Sequence, residues 1–265
     1  MTAPVGARRA GEVVATRPLG AYRQLSIVVP AIAAPARPGQ FVTVPPGRAD
    51  RVLPRTWWIT GEHSEVGFGS TLELVVAENP DEEGPLPEPG DVLAVRGPLG
   101  RGFGMPTTPV TAVVVTQGAA GAVGRWLTER LRAVGCAAHL VSCAEDPDQH
   151  VDLVQARRSA DGVVLTEPRA VAAVVADLTD RTAASVLYAV GPVSLSRTVA
   201  RVASQLVRVS QVTGVEVGAV GICGHGLCGG CDLPLAAGHR RGERSRPCFD
   251  GPVLRGDLVD WERLP

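Results

Sequence analysis

Near Pro109 the apolar pattern of this 265-residue chain changes period, so one layer type cannot accommodate both halves. From about Gly11 to Phe103 the apolar runs are short, alternating and broken by Pro and Gly: Glu12–Thr16, Tyr22–Val29, Gln40–Val44, Thr56–Thr60, Thr71–Ala77 and Val92–Arg96. Several short strands separated by turn signals predict a small antiparallel β-barrel or a sandwich, of which the barrel is the expectation. From about Pro109 to Thr213, strands and helices alternate. Val113–Val115, His139–Ser142, Gly162–Leu165 and Val186–Val190 read as strands, with helical stretches from the Gly118–Gly124 turn through Leu131, over Arg169–Leu178 and over Ser194–Val207. That order predicts a doubly wound parallel sheet. A short glycine-rich segment follows Gly214. The chain is thereby divided into a barrel (1–105), an α/β domain (106–214) and a small C-terminal domain (215–265).

The last segment carries the most specific chemistry. Cys223, Cys228, Cys231 and Cys248 lie at C-x4-C-x2-C-x16-C, the plant-type [2Fe–2S] spacing with a late fourth ligand. The loop reads Cys223-Gly224-His225-Gly226-Leu227-Cys228-Gly229-Gly230-Cys231. Residues without a Cβ can take the turns that aim backbone N–H groups at sulfur. Thiolates also suit zinc, and a four-cysteine structural site is the alternative. Zinc ribbons pair two C-x2–4-C units, however, whereas three of these thiolates crowd one loop. A disulfide framework requires a secreted context, and a Rieske centre requires two His ligands. His225 is accordingly expected to face solvent. Cys136 and Cys143 lie in apolar surroundings and are read as small buried hydrophobes.

Composition removes several function classes. Net charge is −1 with a pI near 6.5, which gives no electrostatic footprint for nucleic acid. All 26 basic residues are arginine, so neither a Walker-type phosphate lysine nor a Schiff-base lysine is present. No run approaches the ~18 apolar residues of a membrane span, and Met1–Gly11 has arginines without an apolar stretch. A cytoplasmic protein is the expectation, and a reducing cytosol suits thiolates held for a cluster.

The α/β domain has a glycine turn between strand and helix, Gly118-Ala119-Ala120-Gly121-Ala122-Val123-Gly124. The first turn of such a helix offers N–H groups and a positive dipole end to a phosphate. The spacing is G-x2-G-x2-G rather than G-x-G-x2-G, and any tight βα turn favours small residues. Both readings therefore stand. Glu145 follows the second strand, where an acid can bind a ribose hydroxyl. Gly118, Gly121 and Glu145 are the nucleotide candidates, with NADH and NADPH both open.

Barrel, α/β domain and plant-type cluster, in that order, resemble the electron-transfer subunit of class 1B dihydroorotate dehydrogenase, within the ferredoxin–NADP reductase superfamily. The likeness spans nearly the whole chain. It is carried by the cysteine loop, by Cys248-x-Asp250-Gly251-Pro252-Val253, by Gly97-Pro98-Leu99-Gly100-Arg101-Gly102-Phe103 at the first domain junction, and by Tyr188-Ala189-Val190-Gly191-Pro192. The resemblance implies that NAD(P)H reduces FAD, and that FAD passes electrons through the cluster to an FMN-containing dihydroorotate dehydrogenase catalytic subunit or similar flavoprotein. It also implies a hetero-oligomer, a heterotetramer in that family. Gly191 and Pro192 would stand beside the nicotinamide, and Arg55-Thr56-Trp57-Trp58 would form the flavin strand.

The chain departs from that family at specific points. Trp58 occupies the place of a small hydroxyl residue, and Asn79-Pro80-Asp81-Glu82-Glu83-Gly84 that of a glycine turn cradling the flavin pyrophosphate. Val190 replaces a cysteine. These departures keep a second reading in view, a flavin-free iron–sulfur interaction subunit that relays single electrons or braces another oxidoreductase.

Overall fold

The structure, a computed structural model, describes residues 6–65, 69–77, 84–218, 222–236 and 244–264. Alternation in the first third resolves into six strands: β1 (Ala7–Leu19), β2 (Tyr22–Val28), β3 (Phe41–Val44), β4 (Arg55–Glu65), β5 (Gly69–Ala77) and β6 (Val92–Leu99). They close an antiparallel barrel in the order β1-β2-β5-β4-β3-β6. Every second residue points inward. Leu25, Ile27, Val42, Val44, Trp57, Ile59, Leu72, Leu74 and Val95 thus fill one core, joined by Ile32 from the one-turn helix α1 (Pro30–Ala33). Each such fully buried aliphatic side chain contributes ~1.5–3 kcal/mol. β1 begins five residues before its predicted start. Ala7–Gly11, of which Arg8–Ala10 are exposed, has little apolar signal, but barrel closure pairs Ala7 with Gly97 and Glu12 with Val92.

The second period gives β7 (Thr111–Gln117), α2 (Gly121–Ala133), β8 (Ala137–Cys143), α3 (Leu153–Ser159), β9 (Gly162–Thr166), α4 (Val171–Thr182), β10 (Val186–Val190), α5 (Val193–Gln205) and β11 (Val209–Thr213). The C-terminal segment adds a two-stranded ribbon, β12 (Leu233–Pro234) with β13 (Arg244–Ser245), then one turn of helix, α6 (Pro247–Asp250), and β14 (Val253–Arg255). The large sheet runs β14-β11-β10-β7-β8-β9. Its five inner-domain strands pair in parallel, and β14 lies antiparallel on β11, with Thr213 opposite Val253. Helices cover both faces, which explains why Ala112–Val115 reads as an unbroken buried run. α3 is too short and too polar (Leu-Val-Gln-Ala-Arg-Arg-Ser) to announce itself in sequence.

α2 lies directly on the sheet because Gly124 has no side chain. A Cβ there would stand 2.0 Å from Thr116 Cγ2 on β7. Gly124→Ala is expected to push helix from sheet and lower stability by ~1–3 kcal/mol, the usual cost of overpacking. Urea denaturation, read by circular dichroism, measures it.

Candidate functional site

The four cysteines meet as two pairs. Thiol–thiol contacts join Cys223 to Cys228 and Cys231 to Cys248. Two thiolate pairs close to one another suit two bridged irons. Cys223, Cys231 and Cys248 are buried and Cys228 is exposed.

Backbone donors surround the sulfurs as the glycine-rich loop predicts. The amides of His225 and Leu227 both donate to Cys223 Sγ at 3.3 Å, Gly226 N–H donates to Cys248 Sγ at 3.3 Å, and Gly230 N–H to Cys228 Sγ at 3.4 Å. Burial would push the Cys223 thiol up, but the amides of Cys228, His225 and Leu227 together outweigh it and bring it down to about 6. Cys231 falls to about 7, chiefly through its contact with Cys248. Cys248 is correspondingly pushed up by Cys231 and by burial. Soft thiolates in two pairs, with N–H groups aimed at them, fit a [2Fe–2S] cluster.

The loop rests on the barrel. Gly224 has φ +71°, and a Cβ there would meet Thr43 Cγ2 at 2.7 Å, with Phe41 and Leu99 just beyond. His225 is half-buried rather than solvent-facing, a correction to the sequence expectation. Arg96 of β6 donates from Nη1 to its Nε2 at 3.1 Å, and burial followed by the Arg96 charge holds the imidazole below its usual range. A contact across 129 positions leaves no local sequence signal. The two segments that carried the family likeness also touch: Gly100 (φ +76°) approaches so closely that a Cβ would lie 2.3 Å from Pro252 Cδ. Arg101 N–H donates to Gly251 O at the same junction.

A second feature is a cavity of about 290 Å³ between barrel and α/β domain. Thr56, Trp57, Trp58, Gly118, Gly191 and Pro192 all line it, so flavin and nicotinamide candidates from positions 56 to 192 are brought to one place. Trp57 is buried with its Nε1 unpartnered. The Trp57 side chain belongs to the barrel core, so it backs the cavity wall from behind rather than presenting its N–H to the cavity. At this volume the cavity takes a ring system rather than a whole dinucleotide. Tyr22, Gln117, Gln149 and Glu216 also line it. Sequence reading did not single them out, and only tertiary packing places them there.

Of the remaining candidates, Arg55, Gly121 and Glu145 are not among the residues lining the cavity. Arg55 donates to the carbonyls of Pro45 and Pro85, and its guanidinium lies 4.8 Å over the Trp57 ring. Thr56 Oγ1 accepts the Gly218 N–H at 3.1 Å. Gly121 packs on Val151, and Glu145 is exposed beyond β8. The Asn79–Glu83 part of the loop expected at a flavin pyrophosphate lies outside the described residues. Cys136 and Cys143 are buried as predicted. Burial, and then the charge of Glu145, pushes the Cys143 thiol up to about 11.

Trp58 connects the two features. It lines the cavity, yet it belongs to the same buried cluster as Phe41, Leu99, Tyr188, Ile222 and Cys223. A continuous packed medium therefore runs from the cavity to the first cluster thiolate.

Comparison with known proteins agrees with this geometry. Residues 222–260 match the family model described as the iron–sulfur cluster binding domain of dihydroorotate dehydrogenase B. The chain is 29% identical over 242 residues to the dihydroorotate dehydrogenase B (NAD(+)) electron transfer subunit of Desulforamulus reducens, covering 88% of this chain and 90% of that one. It is 24% identical over 242 residues to the corresponding subunit homolog of Thermotoga maritima, covering 89% and 82%. A solved structure of an NADH-dependent reduced ferredoxin–NADP oxidoreductase superposes with a TM-score of 0.77 at 22% identity, over 98% of this chain and 92% of that one, which shows a common fold. Residues 222–260 thus form an iron–sulfur cluster binding domain of the dihydroorotate dehydrogenase B type, on a chain that has a ferredoxin–NADP reductase-like fold and resembles that enzyme's electron transfer subunits along most of its length.

Proposed function

We propose that this chain is an electron-transfer subunit that takes electrons from NAD(P)H through FAD and a [2Fe–2S] cluster to a partner flavoprotein, a dihydroorotate dehydrogenase catalytic subunit, in pyrimidine biosynthesis. The observation that carries the reading is the shared packing of one tryptophan, Trp58, against both the ring-sized cavity and the core containing Cys223. A flavin, when bound, converts a two-electron hydride into single electrons that the cluster can carry. Trp57 and Trp58 would wall the ring, Gly191 and Pro192 would face the nicotinamide, and Gly118 with Gly121 would open the phosphate turn. The amides of residues 225, 226, 227 and 230 would hold the charge on the cluster sulfurs. A cytoplasmic location belongs to the same proposal. Among the described residues no helix is long and apolar enough to cross a membrane.

The test uses anaerobically purified chain, with iron, sulfide and flavin quantified and the visible spectrum followed after adding NADH or NADPH. Bleaching of both flavin and cluster bands, and co-purification with the catalytic subunit, is the expected result. Iron and sulfide without flavin, and no bleaching, would overturn the flavin half. One observation favours that second reading of a flavin-free relay: Trp58 stands where the family carries a small hydroxyl residue.

A partner must reach the cluster, and the outer lip of the loop is apolar there. Leu227 is 81% exposed and Phe249 44%, beside the exposed Cys228. Leu227→Asp would place a charge in that contact and is expected to weaken binding of the catalytic subunit roughly tenfold with cluster content unchanged. Titration calorimetry of the two subunits measures it.

A further inference from the structure

Two arginines from different parts of the fold converge on the donors to one cysteine. Arg96 reaches from β6 of the barrel and donates to the His225 ring at 3.1 Å, and the His225 backbone N–H donates to Cys223 Sγ. Guanidinium can only donate, so His225 Nε2 accepts and the ring cannot turn away without leaving Arg96 unpaired. Arg246, immediately before α6, donates from Nη1 to the carbonyl of Gly226 at 2.7 Å. That carbonyl and the Leu227 N–H belong to the same peptide group, and the Leu227 N–H donates to Cys223 Sγ at 3.3 Å. Arg246 therefore bonds one end of a peptide dipole whose other end is aimed at sulfur. Hydrogen bonds in series polarise one another. A charged donor at the carbonyl makes the N–H a stronger donor.

We propose that Arg96 and Arg246 are positioning residues that raise the reduction potential of the cluster by fixing and polarising two of the amides that donate to Cys223, those of His225 and Leu227. The inference rests on the cluster reading above. Reduction adds one electron, takes one iron from ferric to ferrous, breaks no bond and makes the cluster one unit more negative. Donors to sulfur stabilise that added charge, and they are a recognised means of setting such potentials. The Arg246 side chain is about half exposed, and Asp232 faces it, with Oδ1 3.6 Å from Nε. Its bare charge is therefore screened by water and partly offset by a carboxylate, and the contribution runs mainly through the Gly226–Leu227 peptide. Asp250 accepts the Arg246 backbone N–H at 2.8 Å and holds the residue at the start of α6. Asp232 itself acts with the opposite sign, because its charge lies beside both Arg246 and Cys231.

The experiment is a mediated spectroelectrochemical titration of the whole chain, after iron and sulfide analysis and the paramagnetic resonance signal of the reduced cluster have established loading. Arg246→Gln and Arg96→Gln are each expected to shift the midpoint to lower potential, Arg246→Lys to shift it less, and Asp232→Asn to shift it upward. Loaded glutamine variants with the parent midpoint would overturn the proposal. If a glutamine variant does not load, the corresponding lysine variant decides: Arg246→Lys and Arg96→Lys, loaded and unshifted, would reduce the arginines to aids of assembly and equally overturn it. Failure of the parent chain to show iron, sulfide and the resonance signal would instead sink the cluster reading, so the two failures are distinguishable.

Discussion

Cys248→Ala is expected to abolish the cluster and loosen the end of the chain with it. Cys248 is fully buried in α6, receives the Gly226 N–H, and completes the pair with Cys231. Its loss leaves Cys231 without its partner and the second iron one ligand short. Iron and sulfide are expected to fall to less than about a tenth of the parent values, because a thiolate site supplies folding energy only when its full ligand set is present. The stability consequence follows from topology. α6 is followed within three residues by β14, which pairs with β11 as an edge of the large sheet. Cys228→Ala provides the contrast: it too removes a ligand, but from an exposed position, so cluster loss should come with a smaller fall in melting temperature. Metal analysis and thermal denaturation of both variants check the pair. Full iron and sulfide in Cys248→Ala would refute the ligand assignment.

Trp58→Ala is expected to give the largest loss of stability among changes that spare the ligands. The side chain is 3% exposed and belongs to the buried cluster that also holds Phe41, Leu99, Tyr188 and Ile222, drawn from barrel, sheet and cluster segment. Truncating a buried tryptophan costs ~3–5 kcal/mol, which for a chain of this size lowers the melting temperature by roughly 10 °C. The same change removes one wall of the ring-sized cavity, so flavin content should fall while iron and sulfide remain. Equal loss of flavin and iron would show that the two sites are one folding unit. Unchanged flavin would show that Trp58 does not line the ring site.

Much of this molecule is legible in its sequence because the signals are local. Six alternating runs place the barrel strands, three spacings among four cysteines point to the cluster, and the unbroken Val113–Val115 run marks a strand buried on both faces. What could not be read is carried by long-range pairing. Ala7–Gly11 is a strand only because barrel closure gives its backbone a partner in β6. His225 looks like a loop residue until Arg96 arrives from the barrel. Trp57 and Trp58 are adjacent in sequence, yet alternation along β4 sends one into the barrel core and the other into the core shared with Cys223. The sequence by itself determined most of the element types and pointed to the proposed ligand set, because strand period and thiolate spacing are properties of neighbouring residues. The tertiary structure alone decided which residues face the cavity, which arginines reach the amides of the cluster loop, and that this loop sits on the barrel, because those contacts join residues that only chain closure brings within a few ångströms.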